Sequence, residues 1–89
     1  MKDTFILIFQ NRKTKDTFDI EVPKQITANE LIVSLNEGLH LGIDLYDAAS
    51  CFLRAENPIA LIKGDTVLED YKLHDGSIIW YGEGAVLSR

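Results

Sequence analysis

One segment of the sequence has the period of an amphipathic helix, and segments with strand patterns lie on both sides of it. Its apolar side chains recur at helical spacing, at Leu31, Ile32, Leu35 and Leu39. Just before them, Thr27 and Glu30 have the spacing of a capping box, in which each residue satisfies a backbone donor of the other. The sequence therefore predicts one main helix, from residue 28 to about residue 40, whose apolar stripe must cover a sheet.

Short β-branched and aromatic runs predict the strands of that sheet. Four apolar runs are too short for helices, at residues 5–9, 51–54, 59–62 and 77–81. Another segment alternates apolar and polar side chains before Pro23, with the apolar ones at Phe18, Ile20 and Val22. The predicted order is hairpin, helix, two short strands and final strand, and chain handedness places the final strand parallel to the first and beside it.

This order predicts an α+β fold of the β-grasp type, with a mixed four- to five-stranded sheet and one main helix packed on one face. With 89 residues, the chain has room for one such unit. We expect residues 1–82 to form a single domain and residues 83–89 to form a short C-terminal tail.

Charge and cysteine content limit the classes of partner and the compartment. Nine basic residues against fourteen acidic ones give a net charge of −5, the wrong sign for binding nucleic acid phosphates or anionic lipid. No apolar run approaches the ~18 residues of a membrane-spanning helix. The single cysteine cannot form an internal disulfide. We therefore expect a cytoplasmic protein that neither binds nucleic acid nor inserts into a membrane.

Two segments resemble ubiquitin-like proteins. Residues 66–77, TVLEDYKLHDGS, are similar to the segment that precedes the last strand of ubiquitin, T-L-x-D-Y-x-I-x-x-x-S. Residues 18–23, FDIEVP, followed by Thr27 and by ELI at residues 30–32, resemble the second strand and helix start of that fold. Among ubiquitin-like proteins, the chain is most similar to the YukD/EsaB group of Gram-positive type VII (WXG100/ESX-type) secretion systems.

The resemblance implies a small cytosolic, non-enzymatic component that supports export of WXG-type proteins through a membrane-anchored ATPase complex. It brings no catalytic residue and no cofactor. Ubiquitin and its sulfur-carrier relatives act through an exposed C-terminal Gly-Gly, whereas this chain ends in Gly82-Glu83-Gly84 and five further residues. We therefore expect no conjugation. A protein modifier or sulfur carrier, and a generic β-grasp adaptor subunit of another complex, are the alternatives.

The residues themselves give no pattern of an enzyme or a metal site. His40 and His74 lie far apart in sequence, without a second ligand at metal-binding spacing. Cys51 is expected in the core, because free cysteine is among the most buried residue types. Asp70 and Asp75 fall in a turn-rich segment, where aspartate commonly bonds its own backbone. We expect no catalytic residues, no metal and no cofactor.

A protein-binding face is the more informative prediction, because one helix covers only one face of the sheet. The alternate sets of the first strand are both apolar, so periodicity alone does not choose between them. Ile6 and Ile8 would pack well against the leucine stripe, and we place them inward with Phe18, Ile20, Val22, Ile78 and Trp80. The predicted outward, partner-binding residues are Phe5, Leu7, Phe9, Ile79 and Tyr81.

Phe5 and Tyr81 are the expected anchors of this face, since large aromatic side chains often dominate protein contacts. The candidate partners are another copy of the chain or membrane or ATPase components of a secretion complex. The alternative is that a loop or the tail of the chain folds over the face.

Overall fold

The computed structural model describes residues 3–47, 51–56 and 58–82, and the fold begins with an antiparallel hairpin. β1 (Thr4–Asn11) pairs with β2 (Asp16–Pro23), and four turn residues join the two strands. The Oδ1 atom of Asn11 accepts a hydrogen bond from the Lys13 N–H at 3.1 Å, and Lys15 adopts a positive φ of 68°. The side chain of Asn11 thus holds the turn that sets the register of the hairpin.

The helix starts where the capping-box spacing predicts. α1 (Ala28–Leu39) follows Thr27, whose side-chain oxygen accepts from the Glu30 N–H at 3.1 Å. The Glu30 carboxylate accepts from the Thr27 N–H at 2.8 Å in return, which completes the box. At the other end His40 takes a left-handed conformation and ends the helix. The capping box is confirmed, and the helix end lies within one residue of its predicted position.

The remaining elements complete a mixed five-stranded sheet. They are β3 (Leu53–Glu56), β4 (Ala60–Ile62), a 3-10 turn at Leu68–Tyr71 and β5 (Ile78–Tyr81). The strand order is β2-β1-β5-β3-β4, in which β5 runs parallel to β1 and the other neighbours are antiparallel. The β-grasp architecture and the position of the last strand beside the first are confirmed. β3 begins two residues later than predicted, and β4 and β5 each begin one residue later.

The core lies between α1 and one face of the sheet. The helix contributes Leu31, Ile32 and Leu35, all of them buried. The sheet contributes buried residues from every strand, at Phe5, Leu7, Phe9, Val22, Leu53, Ala55, Ile62 and Ile79. The leucine stripe of the helix therefore covers the sheet as predicted, with Leu39 partly buried at its end.

The predicted side-chain orientation of β1 and β5 is wrong. Four of the five residues predicted to point outward are at most 2% exposed and belong to the core, at Phe5, Leu7, Phe9 and Ile79. The hairpin register gives the physical reason. It pairs β1 with the alternating residues of β2, as Phe5 with Val22, Leu7 with Ile20 and Phe9 with Phe18. Directly paired residues share a face, so the inward apolar set of β2 also sets the inward set of β1.

Tyr81, the fifth residue of the predicted patch, is half-buried at the end of β5. Its ring packs against the core, and its hydroxyl donates to the Leu41 carbonyl at 3.4 Å. Ile78 and Trp80, predicted to face the helix, belong to the opposite face of the sheet.

In the described ranges, no helix has the length and apolar character needed to cross a membrane. The predicted tail, residues 83–89, lies outside them.

Candidate partner-binding face

The face of the sheet that points away from α1 carries a group of apolar side chains. We call this group the outer apolar stripe, and it consists of Ile6, Ile8, Ile78, Trp80 and Leu61. Its centre is the pairing of Ile8 with Ile78 across the parallel strands. Ile6 is 39% exposed and Leu61 is 45% exposed, so both ends of the stripe are open to contact.

Trp80 is covered by cationic side chains instead of by the helix. The guanidinium carbon of Arg12 lies 3.9 Å from the centroid of the indole ring, and that of Arg54 lies 5.8 Å from it. The Arg12 guanidinium also donates to Glu56 Oε2 and to Gln10 Oε1, each at 3.1 Å. These contacts leave Trp80 only 9% exposed. Each cation–π contact is worth ~0.5–2 kcal/mol, depending on how far it is removed from water.

The indole N–H of Trp80 is buried and has no hydrogen-bond acceptor among the residues that the structure describes. Buried tryptophan normally finds a partner for this group. Leaving such a donor unpaired costs ~1–3 kcal/mol. Among the described residues, the guanidinium groups of Arg12 and Arg54 therefore hold Trp80 in place on the outer face without a hydrogen bond from the indole.

Charged residues lie beside the outer apolar stripe and between its members. On β2, Asp19 pairs with Ile8 and Glu21 pairs with Ile6, so both carboxylates belong to the outer face. Glu21 accepts a hydrogen bond from the Thr4 hydroxyl at 2.7 Å. On β3, Arg54 stands between Trp80 and Leu61. The stripe thus has a carboxylate border on β2, whereas Arg54 on β3 separates Trp80 from Leu61 on β4.

β5 ends beside the hairpin turn. The N–H of Arg12 donates to the Tyr81 carbonyl at 2.8 Å, and the Lys13 ammonium lies 5.1 Å from the centroid of the Tyr81 ring. Gly82 follows with a φ of 104°. A Cβ atom at this position would lie 3.1 Å from the Lys13 backbone nitrogen. Both the backbone conformation and the close approach therefore favour glycine.

The residues that could suggest other chemistry take part in structural contacts. Cys51 packs, half-buried, against the core. His40 ends α1, and the ring of His74 contacts the Asp75 carbonyl through Nδ1 at 2.9 Å. Asp75 accepts from the Ile6 N–H at 2.8 Å. In the described ranges, no group of three or more His, Cys, Asp and Glu side chains could hold a metal ion.

The segment that resembles ubiquitin is built into the fold by a tyrosine. The hydroxyl of Tyr71 donates to the Lys63 carbonyl at 3.0 Å and accepts from the Lys63 N–H at 3.2 Å. Leu68, at the start of the same 3-10 turn, is fully buried, and its N–H donates to the Ile26 carbonyl at 2.9 Å. These bonds fix the connection between β4 and β5 against the start of the helix region.

Solved structures place this fold in the ubiquitin-like class. A designed protein based on ubiquitin matches with a TM-score of 0.64 and 19% identity, over 90% of this chain and 88% of that one. The UBL domain of yeast Ddi1 matches with a TM-score of 0.62 and 20% identity, over 89% and 90%. The C-terminal ubiquitin-like domain of mouse tubulin-specific chaperone e matches with a TM-score of 0.66 and 11% identity, over 90% and 88%. At these identities the likeness shows the fold alone.

The family follows from the sequence match. Residues 7–80 match the family described as WXG100 protein secretion system (Wss), protein YukD. The match spans most of the chain, and the chain therefore belongs to the YukD family. A comparison with curated protein sequences gives no significant match. The resemblance to the YukD/EsaB group is confirmed, as is the ubiquitin-like fold that it implied.

Proposed function

We propose that this protein is a cytoplasmic, non-conjugated accessory protein of a WXG100 secretion system, and that it acts by binding another protein through the outer apolar stripe. The observation that carries the proposal is the match of residues 7–80 to a protein family of that secretion system. The candidate partners are membrane or ATPase components of the secretion complex, or a second copy of the chain.

The outer apolar stripe supports a role in binding. Ile6 and Leu61 expose large parts of their apolar surface on a sheet face that α1 does not cover. An apolar centre with charged residues around it has the anatomy of a protein contact surface. Cys51, His74 and Asp75 take part in structural contacts, and we propose neither a catalytic activity nor a cofactor.

The test replaces the native gene with a variant that changes only the outer face. In Ile6→Lys/Leu61→Glu, the new lysine stands opposite Glu21 and the new glutamate stands opposite Arg54. Both sites are partly exposed and both new charges meet an opposite one, so we expect the domain to keep its fold. A matched control, Val33→Lys/Tyr46→Glu, makes the same charge changes at exposed residues outside the sheet.

We expect the outer-face variant to lose export of WXG100-type proteins and capture of secretion components, and the control to retain both. Circular dichroism and Tm confirm that each variant is folded. Normal export by a folded outer-face variant would refute the binding face.

The intact mass of the protein from its own cells tests conjugation, since a trimmed tail, a sulfur adduct or heavier conjugates would indicate a modifier or sulfur carrier. Capture of a different complex with normal export would indicate a generic adaptor.

A further inference from the structure

The sheet has two edges, and the edge formed by β2 is long and exposed. β2 comes first in the order β2-β1-β5-β3-β4 and spans eight residues, whereas β4 at the other edge spans three. Its pairing with β1 is one-to-one from Asp16 to Pro23, without a bulge. Residues 16–19 are exposed in an unbroken row. Proteins usually shorten, bulge or cover an edge strand, because its free backbone groups can pair with another chain.

The hydrogen bonds of β1 show which backbone groups of β2 face this edge. Along a strand, successive residues bond toward opposite sides. The Ile8 N–H donates to the Ser77 carbonyl at 2.9 Å, so the even-numbered residues of β1 bond toward β5 and the odd-numbered ones toward β2. The odd-numbered residues of β1 pair with even-numbered residues of β2. The Lys24 N–H donates to the Asp3 carbonyl at 2.9 Å, in the same alternation. The N–H and C=O groups that point away from β1 form what we call the open edge of β2, and they belong to Thr17, Asp19 and Glu21.

The side chains along the open edge of β2 differ between the two faces of the sheet. On the inner face, Phe18 is 40% exposed and Ile20 is partly buried against the core. On the outer face, Asp19 and Glu21 are both exposed. Among the described residues, the Asp19 carboxylate has no hydrogen-bond donor or cation as a partner. The edge therefore offers apolar surface on one face and carboxylates on the other.

From this arrangement we propose that the open edge of β2 binds an extended segment of another protein as an added antiparallel strand, in which apolar and basic side chains alternate. The backbone of the segment bonds to Thr17, Asp19 and Glu21, as in other cases of strand addition. Its apolar side chains lie beside Phe18 and Ile20, which extends the apolar inner face. Its lysine or arginine side chains stand opposite Asp19 and Glu21, where pairs of opposite charge stabilise neighbouring strands.

Charge favours such a segment over a second copy of the chain. Three of the eight residues of β2 are acidic and none is basic, so two copies paired through this edge would bring carboxylates together. Like charges directly opposite each other destabilise a strand pair. The net charge of −5 adds a longer-range repulsion between copies and an attraction for a basic segment. The edge is thus protected against pairing with itself and open to a strand of opposite charge.

The first test titrates the purified full chain with the synthetic peptide acetyl-Thr-Lys-Val-Lys-Val-Lys-Thr-amide. With its central lysine opposite Asp19, an antiparallel strand of this peptide places its valines beside the inner-face residues. The exchange of amide hydrogens with water, measured by NMR, should be fast at Thr17 and Glu21 in the free chain and slower at Phe18 and Ile20. A dissociation constant of ~1 mM or less slows exchange at the open edge at least ~threefold at ~2 mM peptide. Unchanged exchange there, or slowing confined to α1, would overturn the proposal.

Methylation of peptide amides separates a paired strand from simple charge attraction. In the antiparallel arrangement, the lysine N–H groups point to β2 and the valine N–H groups point away. N-methylation of the central lysine should weaken binding at least ~fivefold, because it removes a hydrogen bond and leaves a carbonyl unpaired. N-methylation of one valine is the matched control and should leave binding unchanged. Equal binding by the two methylated peptides would overturn strand addition, and loss with the methylated valine alone would overturn the antiparallel direction.

Reversal of one charge tests the preference for basic side chains. Asp19→Lys should weaken binding of the lysine peptide ~fivefold or more and favour a peptide with glutamate in place of each lysine. Asp65→Lys makes the same change at an exposed residue outside the edge and should alter neither affinity. If Asp19→Lys fails to fold by circular dichroism, Asp19→Asn and Asp65→Asn replace the two variants. Equal binding of the lysine and glutamate peptides by the unaltered chain would overturn the assignment of a basic segment.

Other occupants of the edge give different results in the chain without peptide. If a second copy covers the edge, exchange at Thr17, Asp19 and Glu21 slows as the protein is concentrated from ~0.1 to ~2 mM. If another part of the same chain covers it, exchange there is slow at every concentration. Either result would overturn the proposal.

This inference goes beyond the proposed function, since it assigns a backbone edge as a second binding surface beside the outer apolar stripe. Peptide binding is measured with purified protein, whereas export is measured in cells. A chain that binds neither peptide but loses export in its outer-face variant would refute strand addition and leave the proposed function standing. Peptide binding together with normal export by that variant would refute the binding face and leave strand addition standing.

Discussion

Neighbouring residues of β1 offer a direct test of which sheet face is the core. Leu7 is fully buried against α1, whereas Ile6 points to the outer face and is 39% exposed. Replacing either with alanine removes three carbon atoms, worth ~2.4 kcal/mol when they are fully buried. For Leu7→Ala a cavity adds to this loss, and we expect ~3–4 kcal/mol. For Ile6→Ala the exposed fraction reduces the transfer loss to ~1.5 kcal/mol, and no closed cavity forms.

The two variants are compared by urea unfolding, followed by circular dichroism and by the fluorescence of Trp80. An 89-residue domain has a free energy of unfolding of ~4–13 kcal/mol, so both losses should be measurable as shifts of the midpoint at a shared m-value. Leu7→Met, which keeps the side-chain volume, is the control and should lose less than ~1.5 kcal/mol. A loss for Ile6→Ala equal to or greater than that for Leu7→Ala would refute the orientation of β1.

Further expectations use the same unfolding measurement. Thr27→Ala removes the side-chain half of the capping box and should cost ~1 kcal/mol, so a midpoint unchanged from that of the unaltered chain would contradict the cap. Asn36→Ala removes two bonds to the backbone of Ile43, at 2.8 and 3.3 Å, and should cost ~1–3 kcal/mol. Gly82→Ala should destabilise by ~1 kcal/mol or more, because of its positive φ and close approach, whereas Gly38→Ala in open helix surface should stabilise by up to ~1 kcal/mol. Equal effects of the two glycine substitutions would contradict the need for glycine at the end of the sheet.

The parts of the fold that the sequence predicts well are those governed by local chemistry. The capping box depends on two side chains three residues apart, and both bonds are present. The alternation of Phe18, Ile20 and Val22 gives the inward face of β2 correctly, because one set is apolar and the other is polar. The handedness of chain connections then places β5 parallel to β1. These elements are sufficient to predict the β-grasp architecture.

The orientation of β1 could not be obtained from β1 alone, since both of its alternate sets are apolar. The information lies in the pairing with β2, where Asn11 aligns with Asp16 and the register of the whole hairpin follows. Eight consecutive polar residues, 10–17, separate the apolar runs, and this stretch permits several turn lengths. A one-residue change in the turn would reverse the assignment. The error in the predicted partner-binding residues arises because the sequence does not determine the length of the hairpin turn.

Trp80 shows why hydrophobicity alone is a poor guide to the core in this protein. A large aromatic residue on a central strand is typical of the core, and Trp80 is indeed buried. However, the groups that cover it are the guanidinium ions of Arg12 and Arg54, and Arg12 is held by Glu56, 44 residues away in sequence. Long cationic side chains can bury apolar surface while keeping their charge near water. Trp80 is therefore buried and yet belongs to the outer face of the sheet. The face to which Trp80 belongs therefore follows from the long-range pairing of β3 with β5, and no local sequence pattern contains that pairing.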